Sequence, residues 1–404
     1  MSKAMSAKSI SSRSARTAAL LAAADERILV LDGATGTALQ NLDLKAADFG
    51  GPELEGCNEN LVLVRPDIVA QVHDLYLEAG ADIVETNTFG ATPIVLDEYA
   101  LGHKTYEINK RAAEIAREAC ARFDAPGKLR FVAGSIGPTT KSLSLTGGIT
   151  FEGLIDHYYE QVRGLFDGGT DYFLIETCND TRNVKTCLLA IDRLFEERGE
   201  KIPIAVSATI ESTGTMLAGQ SVEALTAALM HRELLYLGLN CATGPEFMTD
   251  HIRSLAKLSP FRIACVPNAG LPDEDGRYLE TPDMVAKTIG HFVEKGWINF
   301  IGGCCGTHAG HVHALVETAK KAKPRNDRPE KRSLLSGVDH LEITDELRPV
   351  IVGERTNVIG SRKFKDLIKA GKFDEAAEIA RAQVKSGAHI IDVCLADSES
   401  DEVK

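Results

Sequence analysis

Between Ile28 and about Lys321 the chain repeats one pattern eight times, a short apolar segment followed by a helical stretch. The apolar segments are rich in Val and Ile, which is typical of parallel strands covered on both faces. They are ILVLD (28–32), DIVET (82–86), FVAGS (131–135), YFLIE (172–176), IAVSAT (204–209), LYLGLN (235–240), IACVPN (263–268) and INFIGG (298–303). Eight such units predict an α/β fold, a (β/α)8 TIM barrel. A doubly wound open sheet is the alternative, but no GxGxxG follows the first strand.

Almost every predicted strand ends in a polar or metal-binding residue. In a TIM barrel the C-terminal strand ends all face one mouth, where active sites lie. The polarity of loops alone would explain one or two such residues, but it explains a set with several acids and three cysteines less well. In chain order the strand-end residues are Asp32-Gly33, Glu85-Thr86-Asn87, Ser135, Glu176, Thr209, Asn240-Cys241, Asn268 and Cys304-Cys305.

Cys241, Cys304 and Cys305 are the strongest candidates for a metal site. Three thiolates form a soft site that selects zinc over hard cations, and they leave a fourth tetrahedral position open, as in catalytic zinc sites. The open position suits a thiol substrate, because metal binding deprotonates a thiol that is mostly protonated at neutral pH. The glycines that free the backbone around the adjacent cysteines are Gly302, Gly303 and Gly306.

The composition favours a reduced, cytoplasmic protein. Nine cysteines, an odd number, in 404 residues do not indicate a disulfide scaffold. The net charge of −13 argues against nucleic acid or a membrane surface as a partner, and no apolar run approaches the roughly 20 residues that span a bilayer. The cysteines predicted to be small buried hydrophobes are Cys57, Cys120, Cys178, Cys187, Cys265 and Cys394.

The composition changes at both ends of the predicted barrel, which we assign to residues 26–321. Residues 1–25 are rich in Ser, Ala, Lys and Arg, and we predict a disordered N-terminal tail, with an organellar transit peptide as the alternative. Residues 322–345 are basic and contain prolines, which predicts a linker. From 346 to 404 a strand–helix–strand pattern begins again, so we predict the truncated beginning of a second βα barrel.

Seven motifs carry a family resemblance. They are LDGATGT (31–37), ETNTF (85–89), SIGP (135–138), LIET (174–177), GLNCATGP (238–245), PNAGLP (267–272) and IGGCCGT (301–307). In order and spacing they resemble the homocysteine-binding module of the cobalamin-dependent methionine synthase family. The segment VGERTNVIGSRKFKDLIK (352–369) resembles the start of that family's methyltetrahydrofolate-binding, or pterin-binding, barrel.

This resemblance implies a methyltransferase module of the methionine synthase type. Zinc-activated homocysteine thiolate would accept a methyl group from methylcobalamin, ultimately from methyltetrahydrofolate, to give methionine. The zinc would be held by the catalytic cysteines Cys241, Cys304 and Cys305. Homocysteine would be bound through Asp32 and Glu176 at its ammonium, through Gly33, Thr86 and Ser135 at its amino-acid end, and Asn268 would take the fourth zinc position in its absence. The pterin site would include Glu354, Asn357 and Asp392.

The sequence departs from the family, because the rest of the folate barrel, the cobalamin domain with its DxHxxG signature and the activation domain do not follow. We therefore expect a fragment, a truncated product or one subunit of a split enzyme, with the cobalamin domain supplied in trans or by a missing C-terminal part. One alternative is a stand-alone homocysteine methyltransferase that uses S-methylmethionine or betaine, although the GERTN segment argues against it. The others are a non-catalytic binding module and a structural zinc protein.

Overall fold

The structure is a computed structural model that describes residues 12–327, 329–330 and 332–396. They form two compact units. The first runs to Glu330 and includes Ser336–His340, and the second takes Lys331–Leu335 and the chain from Leu341 onward. The finer division into barrel, linker and partial pterin domain stays a prediction.

Eight parallel strands form the wall of a barrel in the first unit, which confirms the predicted fold class. Each strand pairs with its neighbours in sequence, and β1 pairs with β8 through Leu29–Phe300 and Val30–Ile301. A single parallel bridge between Leu31 and Ile83 joins β1 to β2. The strands are β1 (Leu29–Val30), β2 (Ile83–Glu85), β3 (Phe131–Ile136), β4 (Tyr172–Cys178), β5 (Ile204–Ala208), β6 (Tyr236–Asn240), β7 (Arg262–Val266) and β8 (Phe300–Ile301).

Helices surround the strands, and local sequence signals set several of their ends. Pro66 occupies the first turn of the fifth helix, where its missing N–H costs nothing, and Gly80 follows that helix with a φ of +104°. The helices are α1 (Arg13–Glu26), α2 (Thr35–Gln40), α3 (Ala46–Phe49), α4 (Leu61–Val64), α5 (Pro66–Glu78), α6 (Pro93–Leu96), α7 (Thr105–Phe123), α8 (Phe151–Asp167), α9 (Thr181–Arg198), α10 (Val222–Leu229), α11 (Pro245–Leu258), α12 (Pro282–Glu294) and α13 (Ala309–Ala319). Short 3-10 helices cover Pro52–Leu54, Asn58–Asn60, Asp97–Tyr99 and Gly102–Lys104.

The hydrophobic core has two layers, as a filled barrel requires. One layer lies between the strands and the helices, and the other fills the barrel interior. The interior layer contains Tyr172, Tyr236 and Phe300, with the Tyr236 and Phe300 ring centroids 4.5 Å apart. This packed interior closes the barrel below its C-terminal mouth.

The N-terminal segment corrects one prediction. We expected residues 1–25 to be a disordered tail, but the structure forms the helix α1 from Arg13, while residues 1–11 lie outside the described part. The helix is rich in alanine, the strongest helix former, and it buries Leu20 and Ala24 against the interior layer. Arg16 pairs with Asp171 at 2.7 Å. Burial and the ion pair explain why a segment of this composition is ordered.

After α13 the described chain forms only a few short elements. The predicted linker contains two short strands, β9 (Leu334–Ser336) and β10 (His340–Glu342). In the second unit, β11 (Val352–Asn357) pairs in parallel with β12 (Ile390–Cys394), and α14 (Arg362–Lys369) and α15 (Phe373–Lys385) lie between them in sequence. This order agrees with the predicted beginning of a second βα unit.

Among the helices of the described residues, none combines the length and the apolar composition that crossing a membrane requires.

Candidate metal centre and substrate cavity

A cavity opens at the C-terminal ends of the barrel strands. Its volume is about 1030 Å³ including its open mouth. All eight strands, or the loops that follow them, contribute residues to its lining, which includes all three candidate cysteines. Most of the strand-end residues therefore share one cavity at the C-terminal face of the barrel.

The Sγ atoms of Cys241, Cys304 and Cys305 lie together at one side of this cavity. All three lie within 4.8 Å of one another, and the Sγ atoms of Cys241 and Cys305 are 3.7 Å apart. Two sulfurs that each lie about 2.3 Å from one tetrahedral zinc are about 3.8 Å apart. The observed spacing thus fits three ligands of a single tetrahedral cation. Among the described residues, this is the one group of three or more His, Cys, Asp or Glu side chains close enough to hold a metal.

The loop after β8 holds Cys304 and Cys305 through backbone hydrogen bonds to its neighbours. The Cys304 N–H donates to the Pro267 carbonyl at 2.8 Å, and the Cys305 carbonyl accepts the Ala269 N–H at 2.9 Å. Gly306 turns the chain with a φ of +78°, and the ring of Tyr278 packs where a Cβ of residue 306 would lie. Glycine is therefore needed at this point of the loop.

Cys241 leaves β6 in a strained backbone conformation. Its φ is +61° and that of Ala242 is +58°, in the left-handed region that non-glycine residues rarely adopt. Its N–H donates to the Val266 carbonyl at 3.2 Å, and its carbonyl accepts the Thr243 N–H at 2.6 Å. Such outliers persist where the surrounding structure enforces them, and they concentrate at functional sites.

The three thiols affect each other's protonation. The pKa of Cys305 is lowered to about 3, because the thiols of Cys241 and Cys304 donate hydrogen bonds to its sulfur. The Cys304 thiol donates hydrogen bonds to the sulfurs of Cys241 and Cys305, and these bonds, that to Cys241 first, raise the pKa of Cys304 well above its ordinary value. Burial, followed by the nearby Cys305 sulfur, raises the pKa of Tyr278 to about 12, and its hydroxyl is hydrogen-bonded to Cys305.

Three carboxyl groups are clustered at the same mouth. The N–H of Glu85 donates to Oδ2 of Asp32 at 3.0 Å, and Ser135 Oγ donates to Oε1 of Glu176 at 2.5 Å. Burial raises the pKa of Asp32 and of Glu85 well above the ordinary range, and it raises the pKa of Glu176 to about 7. Such a cluster is costly without a cation, so it is suited to a positively charged ligand.

The structure brings most of the predicted substrate residues to the cavity. The lining includes Gly33, Thr86, Ser135 and Glu176. Asp32 and Asn268 are buried but do not belong to that lining. Within the described residues, Oδ1 of Asn268 has no hydrogen-bond partner. The next residue, Ala269, donates its N–H to the Cys305 carbonyl, so Asn268 lies next in the chain to a residue that contacts the cysteine loop. An unpaired buried acceptor beside the sulfur loop is compatible with a ligand role.

The three predicted pterin residues lie in the second unit. Nδ2 of Asn357 donates to Oδ2 of Asp392 at 3.2 Å, so the strands β11 and β12 bring these two side chains together. Glu354 is exposed on β11. Their role stays a prediction.

Several residues that line the cavity had no role predicted from the sequence. Glu85 and Asn240 stood at predicted strand ends, and their position was a usable signal. Glu59, Phe89 and Thr177 also line the cavity, but no periodicity or motif points to Glu59, which comes from a loop before β2.

Comparisons with known proteins identify two families that the chain matches. Residues 29–319 match the family described as homocysteine S-methyltransferase, and residues 353–404 match the family described as pterin binding enzyme. The chain is similar to the oxidized form of the homocysteine methyltransferase MmuM from Escherichia coli, at 23% identity and a TM-score of 0.60, over 75% of this chain and 99% of that chain. For the metallated form of MmuM the identity is 22% and the TM-score 0.59, over 74% of this chain and 98% of that chain.

At these identities the two structures show a shared fold. The match to the first family spans most of the chain and contains the whole barrel from β1 to α13. This chain belongs to the homocysteine S-methyltransferase family.

Proposed function

We propose that the barrel is the homocysteine S-methyltransferase module of a methionine synthase of the cobalamin-dependent type. The observation that carries the proposal is the group of three cysteine sulfurs beside a cluster of buried carboxyls in one cavity. A soft metal ligand set suits a thiol, and a carboxyl cluster suits an ammonium. Homocysteine carries both groups on one short chain.

The metal we propose is zinc, held by Cys241, Cys304 and Cys305. The spacing of 3.7 Å between two of the sulfurs and the thiolate chemistry of the set support this choice. When bound, zinc would supply the positive charge that keeps a substrate thiol deprotonated at neutral pH. The solved structures of MmuM include a metallated form, and by analogy this chain would also bind a metal.

The chain's own residues would bind and orient the amino-acid end of the substrate. Asp32 and Glu176 would receive the ammonium, and Ser135 holds the Glu176 carboxyl in place through its hydroxyl. Gly33 and Thr86 would contact the rest of the amino-acid end, and Thr86 Oγ1 accepts the Ser135 N–H at 3.0 Å. Fixing both ends of homocysteine would orient its sulfur, and such positioning is a large part of catalysis in group transfer.

The methyl donor we propose is methylcobalamin, recharged from methyltetrahydrofolate, with methionine as the product. The match of residues 353–404 to pterin-binding enzymes supports this choice over other donors. Glu354, Asn357 and Asp392 would belong to the pterin site. The cobalamin domain would act in trans or as another part of a longer protein. The free cysteines favour a reducing compartment such as the cytoplasm.

A second candidate is a homocysteine methyltransferase that uses S-methylmethionine or betaine. It is favoured by the similarity to MmuM, a homocysteine methyltransferase of which this chain covers 99%. The same cysteines and carboxyls would serve both reactions, so the methyl donor separates the two candidates.

The test is methyl transfer to homocysteine by the zinc-loaded chain, with methylcobalamin, S-methylmethionine and betaine compared side by side. We expect methionine from methylcobalamin, and we expect Cys304→Ala to abolish both bound zinc and methyl transfer. Cys187→Ala is the matched control, because Cys187 is a buried cysteine of α9 outside the cavity. Turnover with S-methylmethionine alone would favour the second candidate, and full activity of Cys304→Ala would refute both.

A further inference from the structure

Gln161 is a fully buried polar residue of α8 to which the proposed function gives no role. Its Nε2 donates to the Thr88 carbonyl at 2.8 Å and, at the longer distance of 3.4 Å, to the Ser135 carbonyl. Thr88 lies in the loop after β2 and Ser135 lies in β3, and both residues line the cavity. One side-chain amide of the helix layer therefore connects two neighbouring strand ends.

A closed ring of hydrogen bonds fixes the backbone of Ser135 at the same place. The Ser135 N–H donates to Thr86 Oγ1 at 3.0 Å, and the Thr88 hydroxyl donates to the Ser135 carbonyl at 2.7 Å. The two threonine hydroxyl oxygens lie 2.6 Å apart. Because the Thr88 proton is already used, the Thr86 hydroxyl is the donor between them. Hydrogen bonds linked in this way strengthen one another, and Gln161 adds a further donor to the ring.

The fold does not depend on Gln161 to satisfy these carbonyls. The Ser135 carbonyl also accepts the Thr88 hydroxyl, and the Thr88 carbonyl also accepts the Ala91 N–H at 3.0 Å. The Oε1 of Gln161 is buried and has no hydrogen-bond partner within the described part of the chain. A buried acceptor without a partner lowers stability, so an apolar side chain of the same length would serve the fold at least as well. The amide therefore indicates a role other than stability.

We propose that Gln161 is a positioning residue for substrate binding and that it acts through Ser135. The inference rests on the proposed function. The Ser135 hydroxyl donates to Oε1 of Glu176 at 2.5 Å, so a shift of the Ser135 backbone would move the donor that orients this carboxyl. Gln161 is not part of the cavity lining, and its effect on the substrate is indirect. Supporting hydrogen bonds of this kind hold a binding site in its productive geometry.

The experiment measures the dissociation constants of two thiols by calorimetry on the zinc-loaded chain at pH 7. Homocysteine carries an amino-acid end and 2-mercaptoethanol carries none, so the ratio of the two constants reports the contacts of that end. Gln161→Met keeps the length of the side chain and removes its donor. Zinc affinity, measured by chelator competition, and the thermal midpoint report whether the metal site and the fold are intact.

We expect Gln161→Met to weaken homocysteine binding about 10-fold, because the carboxyl that binds the amino-acid end is no longer held in place. The affinities for 2-mercaptoethanol and zinc, and the thermal midpoint, should stay close to those of the wild type. Ser135→Ala should weaken homocysteine binding by itself. Adding Gln161→Met to it should change the affinity less than about twofold, since both residues act through one set of hydrogen bonds. Gln71→Met, at an exposed glutamine of α5, is the matched control and should change nothing.

Wild-type homocysteine affinity in Gln161→Met would overturn the inference. An equal loss for both thiols, or a further loss of about 10-fold when Gln161→Met is added to Ser135→Ala, would also overturn it, because the effect would not pass through Ser135. A thermal midpoint far below that of the wild type would assign Gln161 to folding instead. Failure of the zinc-loaded wild type to bind homocysteine would refute the proposed function itself.

Discussion

The side-chain amide of Asn240 makes two hydrogen bonds to Thr177. The Thr177 N–H donates to Oδ1 at 3.0 Å, and Nδ2 donates to the Thr177 hydroxyl at 2.8 Å. Thr177 has a φ of +54°, which is rare for a β-branched residue, so this pair of bonds stabilises a strained conformation. Because Asn240 precedes Cys241 and Thr177 follows Glu176, the pair connects the cysteine side of the cavity to its carboxyl side.

Replacing Asn240 with alanine should therefore impair both sides of the cavity together. We expect Asn240→Ala to lower the free energy of unfolding by about 1–3 kcal/mol, because the strained Thr177 N–H loses its partner. Zinc affinity and homocysteine affinity should both fall, as measured by chelator competition and calorimetry. Asn41→Ala, at an exposed asparagine, should change none of the three quantities. A loss of homocysteine affinity with unchanged zinc affinity would argue against the connection.

Gly306→Ala should weaken the metal site by displacing the cysteine loop. A Cβ at this position would lie 2.1 Å from Cγ of Tyr278, so the loop or the tyrosine must move. We expect zinc affinity to fall about 10-fold or more, in line with the effect of disturbing groups around metal ligands. Gly127→Ala is a close control, because its φ of +77° matches the +78° of Gly306 and no atom lies within 4 Å of the added Cβ. Equal effects of the two substitutions would show that backbone strain, and not the contact with Tyr278, is responsible.

Removal of zinc should leave the barrel folded. The two layers of the core are formed by other side chains, with Cys304 packed only against the interior layer, and a core of this size needs no metal to be stable. We expect the far-ultraviolet circular dichroism spectrum to persist after chelation, with a thermal midpoint lowered only by the loss of ligand binding. Loss of the helical signal on chelation would instead support the structural zinc protein that the sequence left open.

His73 should make stability depend on pH. The residue is fully buried in α5, neither ring nitrogen has a partner among the described residues, and burial, helped by Arg122, lowers its pKa from 6.5 to about 4. The unfolded chain therefore binds a proton at His73 between these values, whereas the folded chain does not. The contribution of neutral, buried His73 to the free energy of unfolding is fully present above about pH 6.5. It is lost as the pH falls through about 4, and the total loss is roughly 3 kcal/mol.

Urea unfolding from pH 7.5 to pH 5 measures this effect. The curve of His73→Gln should fall less steeply than that of the wild type over this range, because glutamine does not titrate. His231→Gln, at an exposed histidine, should follow the wild type. The difference between variants isolates His73, since the buried carboxyls titrate in all three proteins. Parallel curves for wild type and His73→Gln would contradict the prediction.

The sequence predicted the barrel and the clustering of Cys241, Cys304 and Cys305 at its mouth, because both depend on simple periodic signals. Apolar strands alternate with helices, and the C-terminal ends of parallel strands meet at one mouth, so Cys241 and Cys304 had to be neighbours. Glu85 stood at such a strand end as well, but composition could not show that it would line the cavity together with Glu176. The order of α1 was missed because the burial of Leu20 depends on the barrel interior.

Other features depend on geometry that no sequence pattern encodes. The left-handed conformations of Thr177 and Cys241 arise where two strand ends must approach, and non-glycine residues give no signal for them. Glu59 reaches the cavity from an irregular loop, where it accepts the Gly90 N–H at 2.8 Å. Such contacts follow from tertiary packing and become visible only in the folded structure.

X-ray absorption spectroscopy at the zinc K-edge tests the central claim most directly, with the zinc-loaded chain measured before and after homocysteine is added. Before addition we expect three sulfur neighbours at about 2.3 Å and one nitrogen or oxygen neighbour at about 2.0–2.2 Å. After addition we expect four sulfur neighbours, with the lighter neighbour gone. Fewer than three sulfurs at the start, or a first shell that homocysteine does not change, would contradict the account of a thiol-activating zinc site.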